Sequence, residues 1–261
     1  MKKILSKIVS VGLVFCMGMS LASCGKKKGL TVEKGKLIMA TNAFFPPYEY
    51  YDNDVVVGID AEIAGAVANK LGLELEIQDV EFDSIIAGVQ NGKFDIGMAG
   101  MTVTEDRKKA VNFSSTYAIG VQVVIVKEGS EITDVDALLN GEYKVGVQQG
   151  TTGDLYMSST PENGGVGESR VVRFAKGNDA VLALSTGKVD AVVIDNEPAK
   201  SFVASNEGLT ILPTAYVEEE YAMCINKDNS ELLEKINQAL KELTDDGTIP
   251  AIIEKYIPSN G

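Results

Sequence analysis

Two threonines and an arginine, Thr102, Thr104 and Arg107, follow directly on a short apolar, Gly-rich strand end, Ile96 to Met101. They sit in the stretch DIGMAGMTVTEDRKKAVNFSSTY between Asp95 and Tyr117. These residue types suit an anion. A guanidinium offers a planar pair of donors matching a carboxylate, and hydroxyl and backbone N–H groups brought close by a Gly-containing loop complete the cradle. Thr104-Glu105-Asp106-Arg107 also reads as a helix start, with Thr104 as N-cap and acids in the first turn, so Arg107 falls about one turn into the helix. On these residues alone, a solvated arginine behind a surface cap fits equally well. An opposite charge stands at Asp195, where the apolar run AVVI ends. Such a strand seldom ends in an acid, although Asp before Asn-Glu-Pro is also a plausible helix cap.

The elements that must position these groups follow from hydrophobic periodicity. KLIMATN, AEIAGAVANKLG, LELEIQDV, DSIIAGVQNG and FDIGMAG alternate short apolar strands with amphipathic helices, which predicts an α/β sheet with parallel neighbours. In the helix at 60–71, Ile63, Ala64, Val67, Ala68 and Leu71 recur at helical spacing and form a core face. A second alternation begins after VQVVIVK and runs through YKVGVQ, DLYMSS, RVVRFA, NDAVLALSTGK, VDAVVID and EPAKSFVAS. The stretch SELLEKINQALKELTDDG then carries Leu232, Leu233, Ile236, Ala239, Leu240 and Leu243 on one face. Two α/β lobes are expected, each with its own core. TNAFFPPYEY, GMTVTEDR and QQGTTG each follow a predicted strand, where open α/β sheets bind small ligands.

Together these stretches resemble one family. GMTVTEDR followed by VNFSSTY, with TNAFFPPYEY, VGIDAEIAGAVANKLG, EFDSIIAGVQNGKFDIG, VGVQQGTTG and AVVIDNEPA in the same order, is similar to the bacterial family 3 solute-binding proteins, the polar amino-acid receptors of ABC importers. The resemblance covers roughly residues 36–257 and implies a two-lobed, type II periplasmic-binding-protein-like fold. Lobe 1 would comprise 36–117 plus 221–261 and lobe 2 121–217, joined by a two-strand hinge near 117–121 and 217–221. It further implies that Arg107 takes a ligand α-carboxylate and Asp195 the α-ammonium. Thr102 and Gly100 would add hydrogen bonds, with Thr151 and Thr152 donating from the second lobe. Phe45 and Phe82 would sandwich the ligand's aliphatic part, and Asn42 and Gln148 would discriminate its side chain. Glu49 is expected to face solvent or the hinge. With only Arg107 and Asp195 charged, a third ligand charge would lack a partner, and unpaired amides would penalise an aliphatic ligand. Glutamine, asparagine or cystine is therefore expected ahead of arginine or lysine.

Lys2, Lys3 and Lys7 precede the apolar run Ile8 to Met19, which ends in Leu21-Ala22-Ser23-Cys24. The run is too short for a bilayer span of about 20 residues and reads as a secretion signal over 1–23. Leu-Ala-Ser-Cys resembles a bacterial lipobox, so Cys24 is expected to carry lipid and anchor the exported chain to the outer face of the cell membrane. Residues 24–35 would be the tether. Losing the signal removes three lysines and no acid, making the mature chain still more negative than the −13 of the full sequence, so nucleic acid is an unsuitable partner. Cys224 is then the one remaining thiol and is expected to be a buried strand residue. Histidine is absent, which removes the commonest general base and metal ligand. No cofactor, metal or catalytic residue is expected, and the chain is expected to be a monomer serving an ABC permease. The alternatives are an enzyme resembling cyclohexadienyl or arogenate dehydratases, with an Asp or Glu base, and a sensor domain acting through a partner protein.

Overall fold

The computed structural model describes residues 29–213 and 215–258. The secretion signal and Cys24 lie outside the described residues. None of the described helices is long and apolar enough to cross a membrane.

The first sheet is built around Lys36–Thr41, whose last five residues are buried. It pairs in parallel with Glu74–Asp79 on one side and Ile96–Gly97 on the other. The crossover to Glu74–Asp79 runs through helix Ile59–Leu71, which buries Ile63, Ala64, Val67 and Ala68, while Leu71 is partly buried against the same core. Each such apolar side chain contributes roughly 1.5–3 kcal/mol when fully buried, less for alanine. This helix can start only at a glycine: Gly58 has φ +123°, and a Cβ there would lie 2.3 Å from the carbonyl oxygen of Tyr48.

The second sheet places Val145–Gln148 in parallel with Val171–Phe174 and Ala191–Asp195. The expectation of parallel neighbours stops there. Ala118–Lys127 runs antiparallel to Ala191–Asp195, Leu209–Ile211 and Val217–Tyr221. The last of these pairs arises because the chain enters the second lobe along Ala118–Lys127 and leaves it along Val217–Tyr221. The two crossing strands bond to each other, with Ala118 opposite Tyr221 and Gln122 opposite Val217. The chain then returns: Cys224–Asn226 joins the first sheet between Ile96–Gly97 and Val111–Phe113. Helix Ser230–Asp245 packs against Ile59–Leu71 and buries Leu232, Ile236, Ala239, Leu240 and Leu243. A last helix, Thr248–Tyr256, was not anticipated; Glu62 accepts from Lys255 and, at 2.6 Å, from Tyr256 Oη.

A third, small sheet forms the rim of the first lobe. Phe44–Phe45, Glu49–Asp52 and Val55–Val57 make two successive hairpins. The second turns through Asn53 and Asp54, both at positive φ (46° and 65°), the pairing of conformations that matches strand twist in a two-residue loop.

Candidate ligand-binding site

A cavity lies between the lobes. Its walls bring together the positions expected to contact a ligand: Asn42, Phe45, Phe82, Gly100, Thr102, Arg107, Gln148, Thr151, Thr152 and Asp195. Glu49, Ala99, Val193 and Ile194 complete the lining. Polar contacts bridge the lobes around it. Gln148 Nε2 donates to Asn42 Oδ1 (2.9 Å), Arg107 Nη2 to the Gly150 carbonyl (3.0 Å), and Gln149 Nε2 to Asp83 Oδ2 (2.7 Å). Lys176 Nζ sits 3.5 Å from the centroid of the Phe44 ring.

Arg107 occupies helix Glu105–Ala110, whose N-cap Thr104 accepts the Arg107 backbone N–H at 3.1 Å. The cap is as read from the sequence, yet the side chain turns inward and is 8% exposed. Nη1 donates to the Thr102 carbonyl at 2.7 Å, and the guanidinium lies 5.5 Å from the Phe82 ring centroid. No ion pair engages it among the described residues, and burial lowers its pKa, with the Glu219 charge opposing that. A buried cation held only by neutral carbonyls is a strong attractor for an anion.

Asp195 closes strand Ala191–Asp195 and is 7% exposed. It occupies the N-cap position of helix Asn196–Ala204, but its side chain makes no capping hydrogen bond. Instead it accepts from the Tyr221 hydroxyl, deep in the cleft. Burial, then the Glu219 charge, pushes its pKa up to about 7. An ammonium ion would be the natural partner for it.

The structure departs from the sequence reading at several groups. Glu49 does not face solvent: it is 1% exposed and lines the cavity. The reason is the hairpin register, for Phe45 and Glu49 are cross-strand partners and share a face. Burial, then the Asp60 charge beside it, drives Glu49 well above the usual carboxylate range. Gly100 has its N–H committed to Asp60 Oδ2 at 2.9 Å, which leaves its carbonyl for a ligand. Thr151 does not donate into the cleft; its hydroxyl donates to the Gln148 carbonyl (2.8 Å) and accepts Asp154 N–H (3.3 Å) as a helix cap. Thr102 and Thr152 both donate to Glu219 Oε2, each at 3.0 Å. Glu219 itself was missed. The alternation in VEEEY carries the signal: Glu219 and Tyr221 are buried while Glu218 and Glu220 are exposed. Cys224 is fully buried in its strand, and burial pushes its thiol up to about 12, which keeps it protonated.

The buried acids make stability depend on pH in an unusual sense. Asp60 is raised to about 6 and Asp195 to about 7, both mainly by burial, and Glu49 is raised as well. Each keeps its proton in the folded chain at pH values where the unfolded chain has lost it. Their contribution is therefore full below the ordinary carboxylate range near 4 and is lost as pH rises through about 7. Ligand-free protein is expected to melt at a higher temperature near pH 5 than near pH 8, with Asp60 and Asp195 each contributing on the order of 1 kcal/mol or more to the difference in stability. Calorimetric melts at the two pH values check this, and higher stability near pH 8 would contradict it.

Comparison with known proteins fits this geometry. Residues 37–259 match the bacterial extracellular solute-binding proteins, family 3. The chain is 34% identical over 260 residues to the arginine-binding extracellular protein ArtP of Bacillus subtilis, covering 98% of each chain. Among solved structures it is similar to an ancestral arginine-binding protein bound to arginine, with 41% identity, a TM-score of 0.79, and coverage of 86% of this chain and 99% of that one. An ancestral arginine-binding protein bound to glutamine gives 40% identity and a TM-score of 0.79, with coverage of 86% of this chain and 99% of that one.

Proposed function

Because the chain belongs to the bacterial extracellular solute-binding proteins of family 3, we propose that it captures one polar L-amino acid between its lobes and delivers it to an ABC permease. It has the type II two-lobed fold of amino-acid-binding proteins, and its named relatives are binding proteins and not enzymes. The observation that carries the reading is the pair Arg107 and Asp195. They line one cavity from opposite lobes, both are buried, and neither has an ion-pair partner among the described residues. An α-amino acid supplies both missing charges at once, and it does so only when the lobes come together, the differential affinity that drives closure. Lipidation at Cys24 would hold the monomeric receptor at the outer face of the membrane, beside its permease.

Arginine is the favoured ligand. Beside Arg107 and Asp195 the pocket holds a third ionisable residue, Glu49, which can partner a third ligand charge. A ligand guanidinium beside Glu49 would draw its proton off and gain a counter-charge, while Phe45 and Phe82 offer apolar faces for the methylene stem. The arginine-binding relatives support the same choice. Glutamine is the second reading, supported by the Asn42 and Gln148 amides, by a Glu49 that stays protonated beside a neutral ligand, and by the glutamine-bound ancestral relative.

Glu49→Gln tests the assignment. It should weaken arginine binding by about tenfold or more, roughly 1.4 kcal/mol per decade, and change glutamine binding by less than about threefold. Competition calorimetry with both ligands reads the ratio. Equal losses for the two amino acids would remove Glu49 as the counter-charge.

A further inference from the structure

Glu219 is a buried carboxylate whose partners are all neutral donors. It projects from the returning hinge strand Val217–Tyr221 and is 5% exposed. Thr102, Thr152 and Gln122 Nε2 each donate to its Oε2 at 3.0 Å, and the Tyr156 hydroxyl donates to its Oε1 at 2.9 Å. Both oxygens are thus engaged, and Glu219 is not among the cavity-lining residues. Whatever it does to a ligand passes through the hydroxyls it holds.

The direction of those hydrogen bonds decides the matter. A threonine hydroxyl has one proton and two lone pairs, whereas an ionised carboxylate can only accept. Thr102 and Thr152 therefore spend their single protons on Glu219, and both hydroxyl oxygens, 3.4 Å apart in the cavity wall, are left as acceptors. With Asp195 across the cavity, this makes a set of acceptors for a ligand's N–H groups and none for a second anion.

We infer that Glu219 is a positioning residue that fixes Thr102 and Thr152 as hydrogen-bond acceptors and thereby makes the pocket select for a ligand's α-ammonium group. The inference rests on the amino-acid reading of the cavity and deepens it. Glutamine at position 219 has the same shape, but its amide N–H₂ can donate, so one hydroxyl is free to reverse and present its proton to the ligand. Arg107 makes no hydrogen bond to Glu219, so its bonds to the Thr102 and Gly150 carbonyls do not depend on that change.

The test pairs whichever of arginine and glutamine the wild-type protein binds more tightly with its des-amino analogue, which keeps the carboxylate and side chain and lacks the ammonium. By calorimetry, Glu219→Gln should weaken the amino acid by about tenfold or more and the analogue by less than about threefold, so that discrimination between them shrinks. A loss that is equal for both ligands, or no loss, overturns the inference. Thr102→Val and Thr152→Val together remove the acceptors and leave Glu219 in place, so they test the same point if Glu219→Gln does not fold. They should shrink the same ratio, and discrimination at the wild-type level would overturn the inference. Binding of no amino acid by the wild-type protein would instead refute the reading of the cavity.

Discussion

Arg107→Ala is expected to abolish measurable amino-acid binding in a chain that stays folded. The guanidinium has no ion-pair partner among the described residues and is steered by two backbone carbonyls, those of Thr102 and Gly150, so its remaining donors are directed at the cavity. Removing one member of a buried charge pair costs about 3–5 kcal/mol, on the order of a hundredfold to several thousandfold in affinity. Arg107→Lys should recover little of this, because a point-like ammonium cannot bond the two carbonyls and a carboxylate with one planar fork. The thermal melt of the ligand-free variant separates lost binding from lost folding. Near wild-type affinity in folded Arg107→Ala would contradict the assignment.

The second large effect is expected at Asp195→Asn. The amide keeps an acceptor for the Tyr221 hydroxyl and nearly the same volume, so the variant removes a charge and little else. Loss of the ammonium's partner should cost about 2–5 kcal/mol, roughly thirtyfold to several thousandfold in affinity. The pH profile supplies an independent reading. Binding an ammonium favours ionised Asp195, whose ligand-free pKa is about 7, so wild-type binding releases a proton and affinity falls as pH drops below about 7. In Asp195→Asn this part of the dependence should vanish. A variant with the wild-type pH profile would assign the titration to another group.

What was legible in the chain was what depends on local pattern. The face of helix Ile59–Leu71, the cap at Thr104 and the strand end at Asp195 are each written within a few residues, and the cavity assembles the positions they pointed to. What was missed depends on pairing between segments. Glu49 faces the cavity because a hairpin sets it opposite Phe45, and Glu219 reaches Thr102 because the returning hinge strand pairs with the Thr102 segment at Tyr221. The direction of the Thr152 hydroxyl was not legible for the same reason: it is decided by its other partner, Glu219, 67 residues away. Helix Thr248–Tyr256 escaped notice because Gly247, at φ 83°, and Pro250 in its first turn look like breakers, although a proline near a helix start costs little.

The most direct measurement is a calorimetric titration of the folded wild-type chain with arginine and with glutamine. One ligand per chain, tighter binding of arginine, and loss of the signal in Arg107→Ala are the results expected from a cleft that pairs a carboxylate with Arg107, an ammonium with Asp195 and a side-chain cation with Glu49. Absence of binding by either amino acid to the folded protein would contradict it.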